Sequence, residues 1–150
     1  MSVPRRVRKG TLCRLLGLRP SNLEYWIGEG LVDVAAPDGY TEPQALQVAV
    51  LVALTDHMPL QSARACWPAL RRDLSDRIVS GDWFVVVEVD GSHARLVFEA
   101  NQVLDASSHG RPVRVIRLDT YLERVYAALQ VSRSRAGPRR GRRSKAIQGR

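Results

Sequence analysis

The sequence predicts a mainly α-helical fold with a small β-hairpin. Three observations lead to this prediction. In the first half of the chain, short apolar segments with helical spacing are separated by glycine and proline. After Gly81 the spacing changes, and two runs rich in valine and aromatic residues flank the dipeptide Asp90-Gly91. Residues 131–150 consist mainly of Arg, Ser, Gly and Pro without apolar periodicity, which predicts a disordered basic tail.

The first segments predict two short helices. Thr11 is expected to cap a helix over residues 12–16, which Gly17 ends in the left-handed conformation. Pro20 then suits the first position of a second helix that runs to about residue 29, and Gly30 ends it. Two helices of this length are unstable alone and must pack together, so the pair predicts a helix-turn-helix.

A turn and a longer helix follow. The cluster at residues 37–40, Pro-Asp-Gly-Tyr, predicts a small hairpin or wing. Thr41 and Gln44 form a capping box that opens an apolar helix, which Met58 and Pro59 end. This helix is expected to be the core pillar of the first module.

The next helix has an apolar seam, which we expect to be a dimerisation surface. Pro68 lies within this helix and should kink or divide it. The seam residues predicted to bury against a second subunit are Leu60, Trp67, Leu70, Leu74 and Ile78.

The second half predicts a small α+β module. Residues 83–89 and 93–98 form the expected β-hairpin, residues 113–118 a third strand, and Asp119 caps a final helix. The predicted organisation is therefore a basic N-terminal arm (1–10), a winged helix-turn-helix (11–58), a connecting and dimerisation helix (59–80), the α+β module (81–130) and the tail (131–150).

The positive charge lies at the two ends of the chain. The net charge is +8, and residues 1–10 and 131–150 carry four and eight basic residues without any acidic residue. The residues between them carry 11 basic and 15 acidic side chains, a balance of −4. Flexible basic arms are expected to attract a polyanion, because each Lys or Arg near a phosphate releases a condensed counterion. A purely solubilising tail is the alternative.

Residues 11–32, TLCRLLGLRPSNLEYWIGEGLV, resemble the opening of MerR-type transcription regulators. That opening has a short helix, Gly-Val, a Ser-Pro-like start, Thr-Leu-Arg-Tyr-Tyr and Gly-Leu. Residues 38–40, Asp-Gly-Tyr, resemble the Asn-Gly-Tyr-Arg-Tyr wing of the family, and residues 54–60 look like the join between its third and fourth helices. The resemblance covers about 50 of the 150 residues.

The resemblance implies a winged helix whose second helix lies in the major groove while the wing follows the DNA backbone. Asn22 is then expected to pair with adenine, and Ser21 or Tyr25 to reach a base or a phosphate. Core packing is the alternative for Tyr25 and Trp26. The predicted DNA contacts are Arg5, Arg6, Arg8, Lys9, Arg14, Arg19, Ser21, Asn22, Tyr25, Trp26, Tyr40, Arg139, Arg140, Arg142 and Arg143.

Two departures from the family pattern concern phosphate binding. Glu24 and Thr41 stand where the family has arginine, and residues 11–58 carry two arginines against six acidic residues. This balance is unfavourable beside a polyanion. Either the basic arms supply the missing attraction, or this module binds protein instead; we favour the first.

No arrangement of residues predicts catalysis. The three histidines, His57, His93 and His109, lie in separate segments without metal-ligand spacing, so we expect no metal, no cofactor and no enzymatic activity. Cys13 and Cys66 are expected to be reduced core residues. The longest apolar stretch, residues 45–54, is shorter than the roughly 20 residues that span a bilayer, and residues 1–6 lead into no apolar signal region.

The predicted function is that of a sequence-specific transcription regulator that binds double-stranded DNA as a homodimer in the cytoplasm, on the nucleoid. One alternative is an architectural protein similar to phage excisionases. Another is an antitoxin-like interaction module in which residues 81–130 bind a protein partner.

Overall fold

The computed structural model describes residues 5–76, 84–88, 94–97 and 113–136. They form a mainly helical fold with small antiparallel sheets, as the sequence predicted. The elements are β1 (Arg6–Val7), α1 (Lys9–Leu16), α2 (Pro20–Gly28), β2 (Tyr40–Thr41), α3 (Glu42–His57), α4 (Leu60–Asp76), β3 (Phe84–Glu88), β4 (Ala94–Val97), β5 (Val113–Arg117) and α5 (Asp119–Ala136).

The α3 helix is the central element of the core. Residues 45–54 are all buried, so the helix is covered on every side rather than along one stripe. The capping box is confirmed: the Gln44 backbone N–H donates to Thr41 Oγ1, and the Thr41 N–H donates to Gln44 Oε1 at 3.0 Å. This box fixes the start of the helix directly after β2.

The two predicted N-terminal helices are present, with one difference at the first boundary. The expectation that Thr11 caps α1 is wrong, because the helix begins at Lys9 and its N-cap is the extended residue Arg8. Both terminal glycines are confirmed. Gly17 has φ 68° and Gly30 has φ 75°, and beyond Gly30 the N–H of Leu31 donates to the carbonyl of Trp26 at 2.9 Å.

The expectation of a flexible N-terminal arm is wrong for residues 5–10. The β1 strand pairs antiparallel with β2, Arg6 opposite Thr41 and Val7 opposite Tyr40. Val7 is fully buried. The β1–β2 hydrogen bonds and the buried Val7 side chain offset the entropy lost when this segment becomes ordered. The sequence did not reveal the strand, because two residues are too few to show a periodic pattern.

Gly39 closes the turn before β2, and we expect the Gly39→Ala variant to be less stable by about 1 to 3 kcal/mol. Its φ is 114°, and an added Cβ would meet the Val7 carbonyl, with the carbonyl carbon at 2.7 Å. Because that neighbour is backbone in the β1–β2 ladder, it cannot yield without breaking the pairing. Urea unfolding measures the loss.

The matched control for Gly39 is Gly10→Ala. Gly10 lies in α1 with no heavy atom within 4 Å of the added carbon, so alanine should be neutral or stabilising by up to about 1 kcal/mol. Equal unfolding midpoints for the Gly39→Ala variant and the wild type would show that the close approach to Val7 does not exist.

The α4 helix corrects the predicted dimer seam. Trp67, Leu70 and Leu74 are buried in the core of their own chain, where α4 packs against α3 and β4, so they offer no face to a second subunit. Leu60 is half-buried, and Ile78 lies outside the described residues. Helical periodicity identifies a buried face but not what covers it. The helix is also not divided at Pro68, which lies on its exposed side.

The two predicted hairpin strands pair with each other, and the predicted third strand joins them in one antiparallel sheet in the order β4-β3-β5. Val85 of β3 lies opposite Leu96 of β4 and Ile116 of β5.

The last helix, α5, packs against α1, α3 and β1, and its buried residues belong to the same core as those of the first helices. It continues to Ala136, so the predicted tail boundary at residue 131 is six residues too early. Residues 131–136 contain no helix breaker, whereas Gly137 and Pro138 follow them.

Candidate nucleic-acid interface

The α2 helix has one polar face and one apolar face. Ser21 and Asn22 are exposed, and the Tyr25 side chain is 50% exposed. Leu23 and Trp26 are buried in the core. The prediction that Trp26 contacts DNA is therefore wrong, because helical geometry places it on the face that joins the helix to the protein.

Tyr40 is also part of the core rather than a DNA contact. It is fully buried, and its hydroxyl donates to the backbone carbonyl of Asp33 at 2.8 Å. Burial raises the pKa of Tyr40 to about 12, so the phenol stays neutral and keeps donating at ordinary pH. The strand that carries Tyr40 directs this side chain inward, which the resemblance alone did not indicate.

Four of the predicted cationic contacts are exposed. Arg14 lies in the last turn of α1, Arg19 is the N-cap residue of α2, and Arg5 and Arg8 lie on either side of β1. None of them forms an ion pair with the residues that the structure describes. They are available for phosphate. The predicted tail contacts, Arg139, Arg140, Arg142 and Arg143, lie outside the described residues.

The other two N-terminal cations are engaged with acidic side chains. Arg6 forms an ion pair with Asp38 at 3.1 Å and donates to the Gly39 carbonyl at 3.0 Å. Lys9 pairs with Glu24 in the middle of α2. These contacts tie β1 and the start of α1 to the turn at residues 36–39 and to α2.

Arg64 of α4 is a neighbour of α2 that the sequence analysis missed. Its Nη2 lies 2.7 Å from Glu29 Oε1, and its Nη1 lies 3.5 Å from the Tyr25 hydroxyl. Hydrogen bonds to Glu29 and Tyr25 raise the pKa of Arg64, so the guanidinium is held in its charged form. No local signal points to this contact, since Glu29 and Arg64 are 35 residues apart.

Two further residues of α4, Trp67 and Arg71, contact the segment that follows α2. Trp67 Nε1 donates to the Leu31 carbonyl at 2.7 Å. Arg71 pairs with Asp33 at 2.7 Å, and it also donates to the Gly30 carbonyl and to Gln47 Oε1, each at 3.1 Å. The helix is thus held at its C-terminal end by polar contacts and along its length by Leu23 and Trp26.

These pairs change the electrostatic balance read from the sequence. Glu24, Glu29, Asp33 and Asp38 counted against DNA binding because residues 11–58 supply few cations. Each of the four is paired with a cation from outside that range: Lys9, Arg64, Arg71 and Arg6, respectively. Residues 5–76 together carry nine basic and eight acidic side chains.

Cys13 and Cys66 are buried free thiols, as predicted, and burial raises the pKa of both. Within the described segments, His, Cys, Asp and Glu side chains form no group of three or more that would suit a metal ion. In the same part of the chain, no helix combines the length and apolar character needed to cross a bilayer.

No family model matches the sequence, and no curated protein matches it significantly.

Proposed function

We propose that the protein binds double-stranded DNA as a winged helix-turn-helix regulator similar to the MerR type, with α2 in the major groove. The observation that carries this proposal is the division of α2 into two faces. Ser21, Asn22 and Tyr25 face outward, while buried side chains and contacts from α4 fix the orientation of the helix. A short, rigidly held helix with polar side chains outward is what reading base edges requires.

Each outward side chain has a role in this proposal. The Asn22 amide can donate to and accept from adenine at the same time, and the Ser21 and Tyr25 hydroxyls can bond a base or a phosphate oxygen. Arg14 and Arg19 lie on either side of the turn that joins α1 to α2, where they suit the DNA backbone. The positive end of the α2 dipole favours phosphate at the same place.

In this proposal, the turn at residues 36–39 corresponds to the wing. The Gly39 N–H donates to the Ala36 carbonyl at 2.8 Å, and β2 joins the turn to α3. Asp38 is neutralised there by Arg6. Unlike the family wing, this turn has no arginine of its own, and in our proposal Arg5 and Arg8 beside β1 supply the attraction to the backbone instead.

A homodimer stays part of the proposal, but not through Trp67, Leu70 and Leu74 of α4, which are buried within one chain. The symmetry of the bound DNA sequence shows how the subunits are arranged on DNA. Sequences enriched from a random pool as an inverted repeat would favour a dimeric regulator on the nucleoid, and closely spaced direct repeats would favour an excisionase-like architectural role.

Replacing Asn22 or Tyr25 by alanine is expected to reduce discrimination between the enriched duplex and a scrambled one. Each lost base contact should cost about 1 to 3 kcal/mol, or roughly 5- to 150-fold. Because both side chains are exposed, the variants should unfold at nearly the wild-type temperature. Fluorescence anisotropy on the two duplexes measures the ratio.

The control for these two variants is Thr120→Ala, because Thr120 is an exposed residue in the first turn of α5, away from α2. It should leave the discrimination ratio unchanged. A wild-type ratio in both the Asn22→Ala and the Tyr25→Ala variant would remove α2 as the reading helix.

A further inference from the structure

Two ion pairs involve α2, one through Glu24 within the helix and one through its C-cap residue Glu29. Glu24 holds Lys9 from the start of α1, and Glu29 holds Arg64 from α4. The carboxylates are 58% and 36% exposed, and their partners are similarly open to solvent. All four side chains can therefore change partner without unfolding any part of the core.

Stability does not account for these pairs. Exposed ion pairs contribute about 0 to 1 kcal/mol to folding, because water screens the attraction and both long side chains lose freedom. Buried residues and the Trp67 and Arg71 contacts already fix α2. The two carboxylates consequently add little to the fold, although one lies on and the other directly after the helix that we assign to the DNA groove.

Near DNA, each carboxylate would have two effects that it does not have on folding. A carboxylate beside the groove repels phosphate, and it also occupies a cation that would otherwise release a counterion from DNA. The cations on and around α2 are therefore of two kinds, those without an ion pair and those paired with a carboxylate. Arg14 and Arg19 are unpaired among the described residues, whereas Lys9 and Arg64 are each held by a carboxylate.

We propose that Glu24 and Glu29 are specificity-determining residues that weaken binding to non-cognate DNA by holding Lys9 and Arg64 away from phosphate. This inference rests on the proposed function. On the cognate sequence, base contacts from α2 bring the backbone close enough for Lys9 and Arg64 to bind a phosphate as well as, or instead of, their carboxylates. On other sequences those base contacts are missing, and Lys9 and Arg64 stay paired with their carboxylates. The carboxylates therefore lower non-specific affinity more than specific affinity.

The test uses the full chain, a random-sequence duplex of about 20 base pairs and a salt series read by fluorescence anisotropy. Glu24→Gln and Glu29→Gln preserve shape and remove the charge. Each should raise affinity for the random duplex several-fold, up to about eightfold near 0.1 M salt, and steepen the slope of log K against log salt by about 0.9. Circular dichroism and thermal unfolding verify that both variants fold.

Two controls separate this effect from a change in net charge or shape. Glu123→Gln removes the same charge from an exposed position on α5 that forms no ion pair with any described residue, so its affinity should change less than about twofold. Glu24→Asp keeps the carboxylate and should keep affinity near the wild-type value.

The outcomes distinguish this inference from the proposed function. If the wild type binds and the Glu24 and Glu29 variants match Glu123→Gln in affinity and salt slope, the inference is overturned while DNA binding stands. If the wild type binds weakly or not at all and the two variants bind, the inference is supported. If none of the proteins binds any duplex, the proposed function fails, and the inference fails with it.

Discussion

Removing residues 137–150 is expected to weaken binding to any DNA duplex by about a few hundredfold near 0.1 M salt. The segment carries six basic residues and no acidic residue. If about three of these cations contact phosphate, their loss should flatten the slope of log K against log salt by about 2.7. Anisotropy titrations of the full chain and of a chain ending at Ala136, across a salt series, measure both quantities.

The position of this truncation follows from α5. The helix continues to Ala136, so a cut at residue 130 would remove a turn and a half of helix along with the charge. The helix packs against α1 and β1, the elements beside Arg5 and Arg8. In our proposal the segment therefore adds to cations that already lie near the DNA backbone.

Discrimination between enriched and scrambled duplexes should change much less than affinity, because phosphate contacts position a protein and base contacts specify the sequence. A full-length variant with Gln at the six basic positions is the control for chain length, and it should behave like the truncation. Identical salt slopes for the wild type and both variants would show that the segment does not contact DNA, and would favour the protein-interaction alternative.

The parts of the fold that the sequence predicted correctly depend on local chemistry. Gly17 and Gly30 end their helices because a left-handed residue satisfies the last carbonyl groups at little cost for glycine. Thr41 and Gln44 close their hydrogen bonds within one turn of helix. The β3–β4 pairing follows from two β-branched runs on either side of a tight-turn dipeptide. Each signal lies within a few residues of the structure it determines.

The incorrect predictions concern tertiary contacts, that is, which side chains pack against each other in the folded chain. Trp26 and Tyr40 have a polar atom and a large apolar body, so their residue type suits a DNA contact and a core position equally well. The ion pairs that surround α2 join residues 15 to 38 positions apart. Only the tertiary packing of the chain brings these partners together, and no spacing along the chain encodes it. The charge balance of the candidate interface was therefore misjudged when residues 11–58 were counted alone.

The Trp67→Ala variant is expected to lose about 3 to 5 kcal/mol of unfolding free energy. Trp67 is 1% exposed, and its indole N–H donates to the Leu31 carbonyl, which follows the end of α2. Removing the ring leaves a large cavity between α4 and its neighbours and an unpaired carbonyl. Urea unfolding of the wild type and the variant, compared at one protein concentration, measures the loss.

The Trp67→Phe variant separates the two contributions of this side chain. Phenylalanine keeps most of the apolar contact but cannot donate to Leu31, so it should lose about 1 to 2 kcal/mol. Because that hydrogen bond holds the end of α2, the Trp67→Phe protein should also discriminate less between enriched and scrambled duplexes while its salt slope stays at the wild-type value. A loss below about 1 kcal/mol for Trp67→Ala would show that its own chain does not cover the ring, and the α4 seam would again be a candidate subunit contact.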